Sequence, residues 1–188
     1  TLGAATTISN NLTITNGTLA TSTLGLTATN TIVNATLAIN GATATKALGT
    51  TTINSGGTIN STVAATITTS NLTINSGGTW TTSLGIAGVT ISGDLTNSGT
   101  FTNSVSTTYS ISGNVTNNGS FTSFNGVYTL TGAAKTISTT NGTALTINSL
   151  TISGSYTISS NYTGANIFRS EEHTSELQSH SDLVCRLL

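Results

Sequence analysis

The 188-residue chain contains no proline, no methionine, one cysteine, two histidines, four Lys or Arg and five Asp or Glu. These scarce residues are unevenly placed: Lys46, Asp94 and Lys135 are the only charged side chains in 1–168. His173, His180, Cys185 and all remaining charges fall in 169–188. Each shortage excludes something. Without proline, every backbone N–H is free to join a ladder. Without cysteine, 1–168 has no disulfide, thiol or Cys-zinc chemistry. With two lysines and no arginine it lacks the basic footprint that nucleic acids or anionic membranes require. No apolar run approaches the ~18 residues of a membrane-spanning helix. Catalysis needs a nucleophile with its base, or paired carboxylates. The segment has no Glu, His, Cys or Arg, so it reads as a non-enzyme with no catalytic, cofactor or metal site.

What is present points to strands. Threonine contributes 44 of the first 168 residues, and Leu, Ile, Val and Phe together 39. Low net charge with this apolar content argues for a packed structure rather than disorder. Thr, Ile and Val suit a pleated surface, and abundant Thr, Asn, Ser and Gly oppose helix. The fold class is all-β.

The strands repeat. TIVNATLA at 31–38 repeats TITNGTLA at 13–20; TINSGGTW at 73–80 repeats TINSGGTI at 52–59; LTNSGTF at 95–101 resembles VTNNGSF at 115–121. Anchoring on the Thr or Ser after each polar corner gives Thr18, Thr36, Thr58, Thr79, Thr100, Ser120 and Thr143, in steps of 18 to 23 residues. The apolar residue before the corner is Ile14, Ile32, Ile53, Ile74, Leu95 or Val115; the one after is Leu19, Leu37, Ile59, Trp80, Phe101 or Phe121. A period of roughly 21 residues is short for a propeller blade and suits one turn of a single-chain parallel β-solenoid, about eight turns in all. Asn and Gly at the corners accept left-handed backbone, and stacked Asn side chains can form amide ladders. The competing arrangement is a sandwich of hairpins turning at Asn-Gly pairs 16–17, 118–119, 125–126 and 141–142. A near-constant period favours the solenoid.

The final twenty residues, 169–188, stand outside this pattern. Arg169 to Ser179 resemble the translated start of a standard short-read sequencing adapter, and Leu183 to Leu188 its constant end. The other reading is a short amphipathic C-terminal helix. The resemblance assigns 1–168 to the repeat and 169–188 to an adapter-derived tail that is not part of the fold. Without an initiator Met or an apolar leader, 1–168 reads as an internal piece of a longer frame.

Residues 10 to about 160, with L-T-N-S-G-T-F corners alternating with Thr-rich strands, resemble bacterial surface adhesins and autotransporter passenger domains. The resemblance implies a right-handed parallel β-helix, extracellular display at the bacterial cell surface, and a structural stalk serving adhesion or spacing. Its partners would be neighbouring turns of the parent rod and possible glycans, with neither nucleic acid nor membrane insertion. Two other functions compete. One is an ice-binding solenoid using stacked Thr79-x-Thr81 and Thr100-x-Thr102 rows. The other is a self-associating extracellular matrix or filament subunit. Among aromatics, Trp80, Phe101 and Phe121 share one repeat position and fit an internal column. Phe124 and Tyr128 flank Gly126 and are the better surface-binding pair. Asp94 reads as a solvated turn residue, and one carboxylate is far short of a Ca²⁺ ligand set. Lys46 and Lys135 are expected at the surface. The frequent N-x-[ST] triplets, at Asn11, Asn71 and Asn114 among others, follow from composition.

Overall fold

The computed structural model describes residues 1–41, 44–63, 65–83, 87–104, 106–139, 145–159, 162–163 and 166–169, and for the last two stretches the backbone alone. Thr143, Asn141, Gly142, the two histidines and Cys185 lie outside the described residues. Three columns of short strands wind around one core, and every strand pairing is parallel.

The first face stacks the second half of Thr6–Ile14 on the second half of Leu26–Val33. Above them lie Thr50–Ile53, Leu72–Ile74, Leu95–Asn97, Val115–Asn117, Lys135–Thr139 and Tyr156–Ile158. The second face stacks Thr18–Ala20, Thr36–Ile39, Thr58–Ser61, Thr79–Thr82 and Thr100–Asn103. It continues through the starts of Ser120–Leu130 and Leu145–Ile152 to Tyr162–Thr163. The third face runs from the starts of Thr6–Ile14 and Leu26–Val33 through Lys46–Ala47, Thr66–Thr69, Gly88–Ile91 and Thr108–Ile111. It ends with the later halves of Ser120–Leu130 and Leu145–Ile152 and with Asn166–Arg169. The first and second faces each stack eight strands through seven steps and the third stacks nine, about seven turns in all and one fewer than the period alone suggests. The last strand includes Arg169, one residue past the compositional boundary.

Alternation sorts the side chains, because successive residues of a strand point to opposite faces. On the second face Leu37, Ile59, Trp80, Phe101 and Phe121 point inward and sit in register, as the repeat implies. The Trp80, Phe101 and Phe121 rings stack with centroids 6.3 and 4.4 Å apart and planes within 8°. On the third face Tyr109 and Tyr128 stack at 4.8 Å. Phe101 meets Tyr109 at 5.4 Å, tilted by 57°, joining the two columns. Fully burying a large apolar side chain contributes about 1.5–3 kcal/mol, and these columns repeat that gain at each level.

The corner before the second face departs from the sequence reading in two ways. Ile32 is not an inward residue: Ile14 pairs with Val33, and Ile32 faces outward opposite Thr13. Leu95 is not the counterpart of Ile74. Leu95 stacks on Leu72, and Ile74 stacks on Asn97. The physical cause is corner length. Ile74 reaches Thr79 through Asn75, Ser76, Gly77 and Gly78, whereas Asn97 reaches Thr100 through Ser98 and Gly99 alone. The shorter turn draws Asn97 inside, where it donates to Asn117 Oδ1 at 2.7 Å and to the Ser120 carbonyl at 2.8 Å. At the upper end Thr122 pairs with Thr146, so the step there is 24 residues.

Left-handed backbone belongs to few corner residues: Gly17, Gly49, Gly56 and Gly77, with Ser22 and Ala134 the non-glycine cases among the described residues. At Gly49 (φ 58°) a Cβ would also stand 1.9 Å from the Thr29 carbonyl oxygen, so only glycine fits. Asparagine acts through its amide instead. Asn54 donates to Asn34 at 2.7 Å, and Asn75 donates to Asn54 at 2.8 Å. The ladder therefore satisfies side chains that would otherwise compete with backbone pairing.

Candidate functional site

Among the described residues, three surface features and one buried one carry the chemistry. The first is a grid of hydroxyls on the second face. Thr79 and Thr81 point outward, half-buried by their neighbours, and stack directly on Thr100 and Thr102, then on Ser120 and Thr122. Thr122 stacks on Thr146, extending one row by a further turn. Toward the N-terminus the grid decays to Thr58 with Asn60 and Thr36 with Ala38.

Comparable rows line the other faces. Thr52, Thr73, Thr96, Thr116 and Ser138 form one on the first face. Thr68, Thr90, Ser110, Thr129 and Thr151 form one on the third. Hydroxyl rows therefore follow from Thr-rich strands in register and are not confined to one face.

The second feature is Phe124, 59% exposed at the corner between second and third faces, with Val127 beside it at 38%. The ladder is irregular here: three residues separate Ser123 from Val127 along the chain, where the next turn passes from Ile147 to Ser149 through Asn148 alone. Phe124 and Asn125 both point outward across this bulge, and alternation resumes afterwards with a different phase.

That phase change corrects the expectation for Tyr128. It is fully buried, stacked on Tyr109, and cannot contribute to a binding surface. Its hydroxyl faces the Asn103 and Ser123 side chains without a well-shaped hydrogen bond. Burial pushes the Tyr128 phenol well above its ordinary value.

The third feature is a corner ladder through Asp94. Asn71 Oδ1 accepts the Asp94 N–H at 2.8 Å, Asp94 Oδ1 accepts the Asn114 N–H at 2.7 Å, and Asn114 Oδ1 accepts the Thr136 N–H at 3.0 Å. Each side chain caps the backbone one turn above it. Asp94 is exposed, as a turn residue should be, yet its carboxylate has a structural task beyond solvation. Asn71 and Asn114, both at N-x-[ST] triplets, are committed to this ladder.

The buried feature is a polar seam along the inner edge of the second face, where Ser61, Thr82, Asn103 and Ser123 succeed one another in register. Thr82 donates to Asn103 Oδ1 at 3.0 Å and lies 3.2 Å from the Tyr109 hydroxyl, which also receives the Trp80 indole N–H at 3.1 Å. Burial raises Tyr109 far above the usual phenol range, against the smaller lowering by its Thr82 and Trp80 hydrogen bonds. The seam is sealed from solvent and has no access for a substrate.

Lys46 was expected at the surface and is instead fully buried, at the inward position between Leu26 and Ile67. Its long aliphatic stem fills the space of a core residue while Nζ donates to the Ala44 carbonyl at 2.9 Å. Burial lowers its pKa from the usual 10.5. Lys135 is half-buried. Among the described residues no group of three His, Cys, Asp or Glu stands together as a metal site. No protein-family model, curated protein or solved structure matches this chain.

Proposed function

We propose that this chain is a structural segment of an exported cell-surface protein, a stalk that sets distance and supports adhesion and does no catalysis. The observation that supports it most is the continuity of the ladders. Core columns, backbone pairing and corner side chains each hand over from one turn to the next without requiring a ligand. Bending such a rod stretches the backbone ladders on its convex side, and those hydrogen bonds resist flexing. Its natural partners are further turns of the same kind at either end, and its sparsely charged hydroxyl and amide surface suits the glycan-rich exterior of a cell.

The test is to display the chain between a cell-surface anchor and a fluorescent reporter. Seven steps of about 4.8 Å should hold the reporter roughly 34 Å further out. A reporter distance that matches a flexible linker of equal length would contradict the stalk.

A second reading, ice binding, draws support from the paired hydroxyls of Thr79, Thr81, Thr100 and Thr102 and the extension of their row to Thr146. Thermal hysteresis by the full chain, abolished by Thr81→Tyr with Thr102→Tyr, would favour it over the stalk. Rows of similar make-up on all three faces weigh toward the stalk.

A further inference from the structure

Four of the chain's Asn-Gly pairs lie within the described residues: 16–17, 40–41, 118–119 and 125–126. Three are tied into the rod. The Asn40 side-chain oxygen accepts the Ser22 N–H at 2.9 Å, and Gly41 is packed so closely on the Ser22 backbone that no Cβ would fit. Asn118 donates its backbone N–H to Asn97, and Gly119 is backed against Gly99 in the turn below. Gly126 is buried against the Asn103 amide.

At Asn16-Gly17 the Gly17 carbonyl accepts the Thr36 N–H, but the side chain and the Gly17 nitrogen are tied to no other turn. Thr15, Asn16, Gly17 and Thr18 are all exposed, and nothing lies within 4 Å of the place a Gly17 Cβ would occupy. The Asn34–Asn54–Asn75 ladder runs above this corner without including Asn16. The Gly17 N–H donates to its own neighbour's Asn16 Oδ1 at 2.8 Å, so the backbone nitrogen already sits against the side-chain amide. Gly17 has no side chain to hinder the approach of its nitrogen to the amide carbon.

We infer that Asn16 is a site of spontaneous deamidation, and that the corner contacts protect the other three pairs. Solvent hydroxide removes the Gly17 amide proton, and the nitrogen attacks Asn16 Cγ to form the N–C bond of a five-membered imide. The Cγ–Nδ2 bond breaks and nitrogen leaves as ammonia after taking up a proton from water. Water then opens the imide to aspartate or isoaspartate. The product adds a negative charge to the corner, and the isoaspartate form lengthens the backbone beneath the Thr36 N–H···O Gly17 bond. If the rod is the stalk proposed above, this corner would be where chemical ageing of the four described pairs starts.

The test is peptide-mapping mass spectrometry of the folded full chain during incubation in mildly alkaline buffer, with the same measurement in concentrated urea. In the folded chain Asn16 should convert on the order of tenfold faster than Asn40, Asn118 and Asn125, since freeing each of those means breaking one or two further hydrogen bonds. In urea the four rates should converge. Equal or faster conversion of any of the other three in the folded chain would overturn the inference. So would a lead for Asn16 that persists undiminished in urea, because the protection would then not come from the fold.

Discussion

The lower and upper halves of the rod solve the same problem with different side chains. From Leu26 to Ile74 the core is aliphatic, its buried polar groups are mainly hydroxyls such as Thr31, Thr51 and Thr69, and the Asn-Ser-Gly-Gly corners keep their asparagines outside. From Trp80 to Tyr156 aromatic rings join the core, the corners lose two residues, and Asn97 and Asn117 beside those corners are drawn inside. The difference teaches that corner length decides which side of the wall an asparagine occupies. An exposed ladder amide competes with water and adds little, whereas a buried one is costly to leave unpaired.

Several substitutions would break or sharpen this contrast. Unfolding of a solenoid is not reliably two-state, so each is best read by hydrogen exchange resolved turn by turn. Phe101→Ala removes the ring held between Trp80 and Phe121 and should cost about 3–5 kcal/mol, while Ile59→Val at the same column position in the lower half should cost about 0.5–1.5 kcal/mol. A loss at Phe101 no larger than that at Ile59 would contradict the packing of the aromatic column.

Asn97→Ala takes away the donor that serves the buried Asn117 Oδ1 and the Ser120 carbonyl and should cost about 1–3 kcal/mol. Asn75→Ala, in the exposed ladder, should cost less than about 1 kcal/mol. Reversal of that order would refute the role given to corner length.

Alkaline titration probes the same asymmetry. Burial raises Tyr109, Tyr128 and Tyr156 above their ordinary 10.0. Folding therefore retains protons that the unfolded chain releases, and the stability they lend is full below 10.0 and drains away as pH rises beyond it. Lys46 works in the opposite sense: its lowered pKa makes the unfolded chain bind more protons just below 10.5, so its share of stability rises through that window. Because the tyrosines cluster in the upper half, its amides should lose protection first above pH 10.0, with tyrosinate absorbance rising in step. Tyr109→Phe should blunt that early loss. The smallest effect belongs to the surface grid: Thr79→Val and Thr100→Val should each change stability by no more than about 0.5 kcal/mol, measured by the same exchange profile.

Much of this was readable from the residues, and the failures have physical causes. The post-corner column from Leu19 to Phe121 is legible because each member follows its corner Thr or Ser by one residue in every turn. The pre-corner column is not, because corners of unequal length carry similar motifs out of register, so Leu95 lies on Leu72 and not on its motif counterpart Ile74. Tyr128 escaped for a related reason: the bulge after Ser123 shifts the phase of alternation. Lys46 was misplaced by charge, since nothing in its neighbours announces that an aliphatic stem fills a core position. The amide ladders were foreseeable in kind, but the Asp94 ladder and the polar seam around Tyr109 need the register to bring together residues 20 or more positions apart.

The central claim is the parallel, in-register stack, and spin-label distances test it most directly. Thr18, Thr79, Thr100 and Ser120 share one outward row, so labels at Thr18 paired in turn with the other three, in a chain carrying Cys185→Ser, span three, four and five steps. Pulsed electron resonance should return distances near 14, 19 and 24 Å, rising by about 4.8 Å per step. Distances that fail to increase in that order, or that shorten with sequence separation as hairpins would require, would contradict the solenoid.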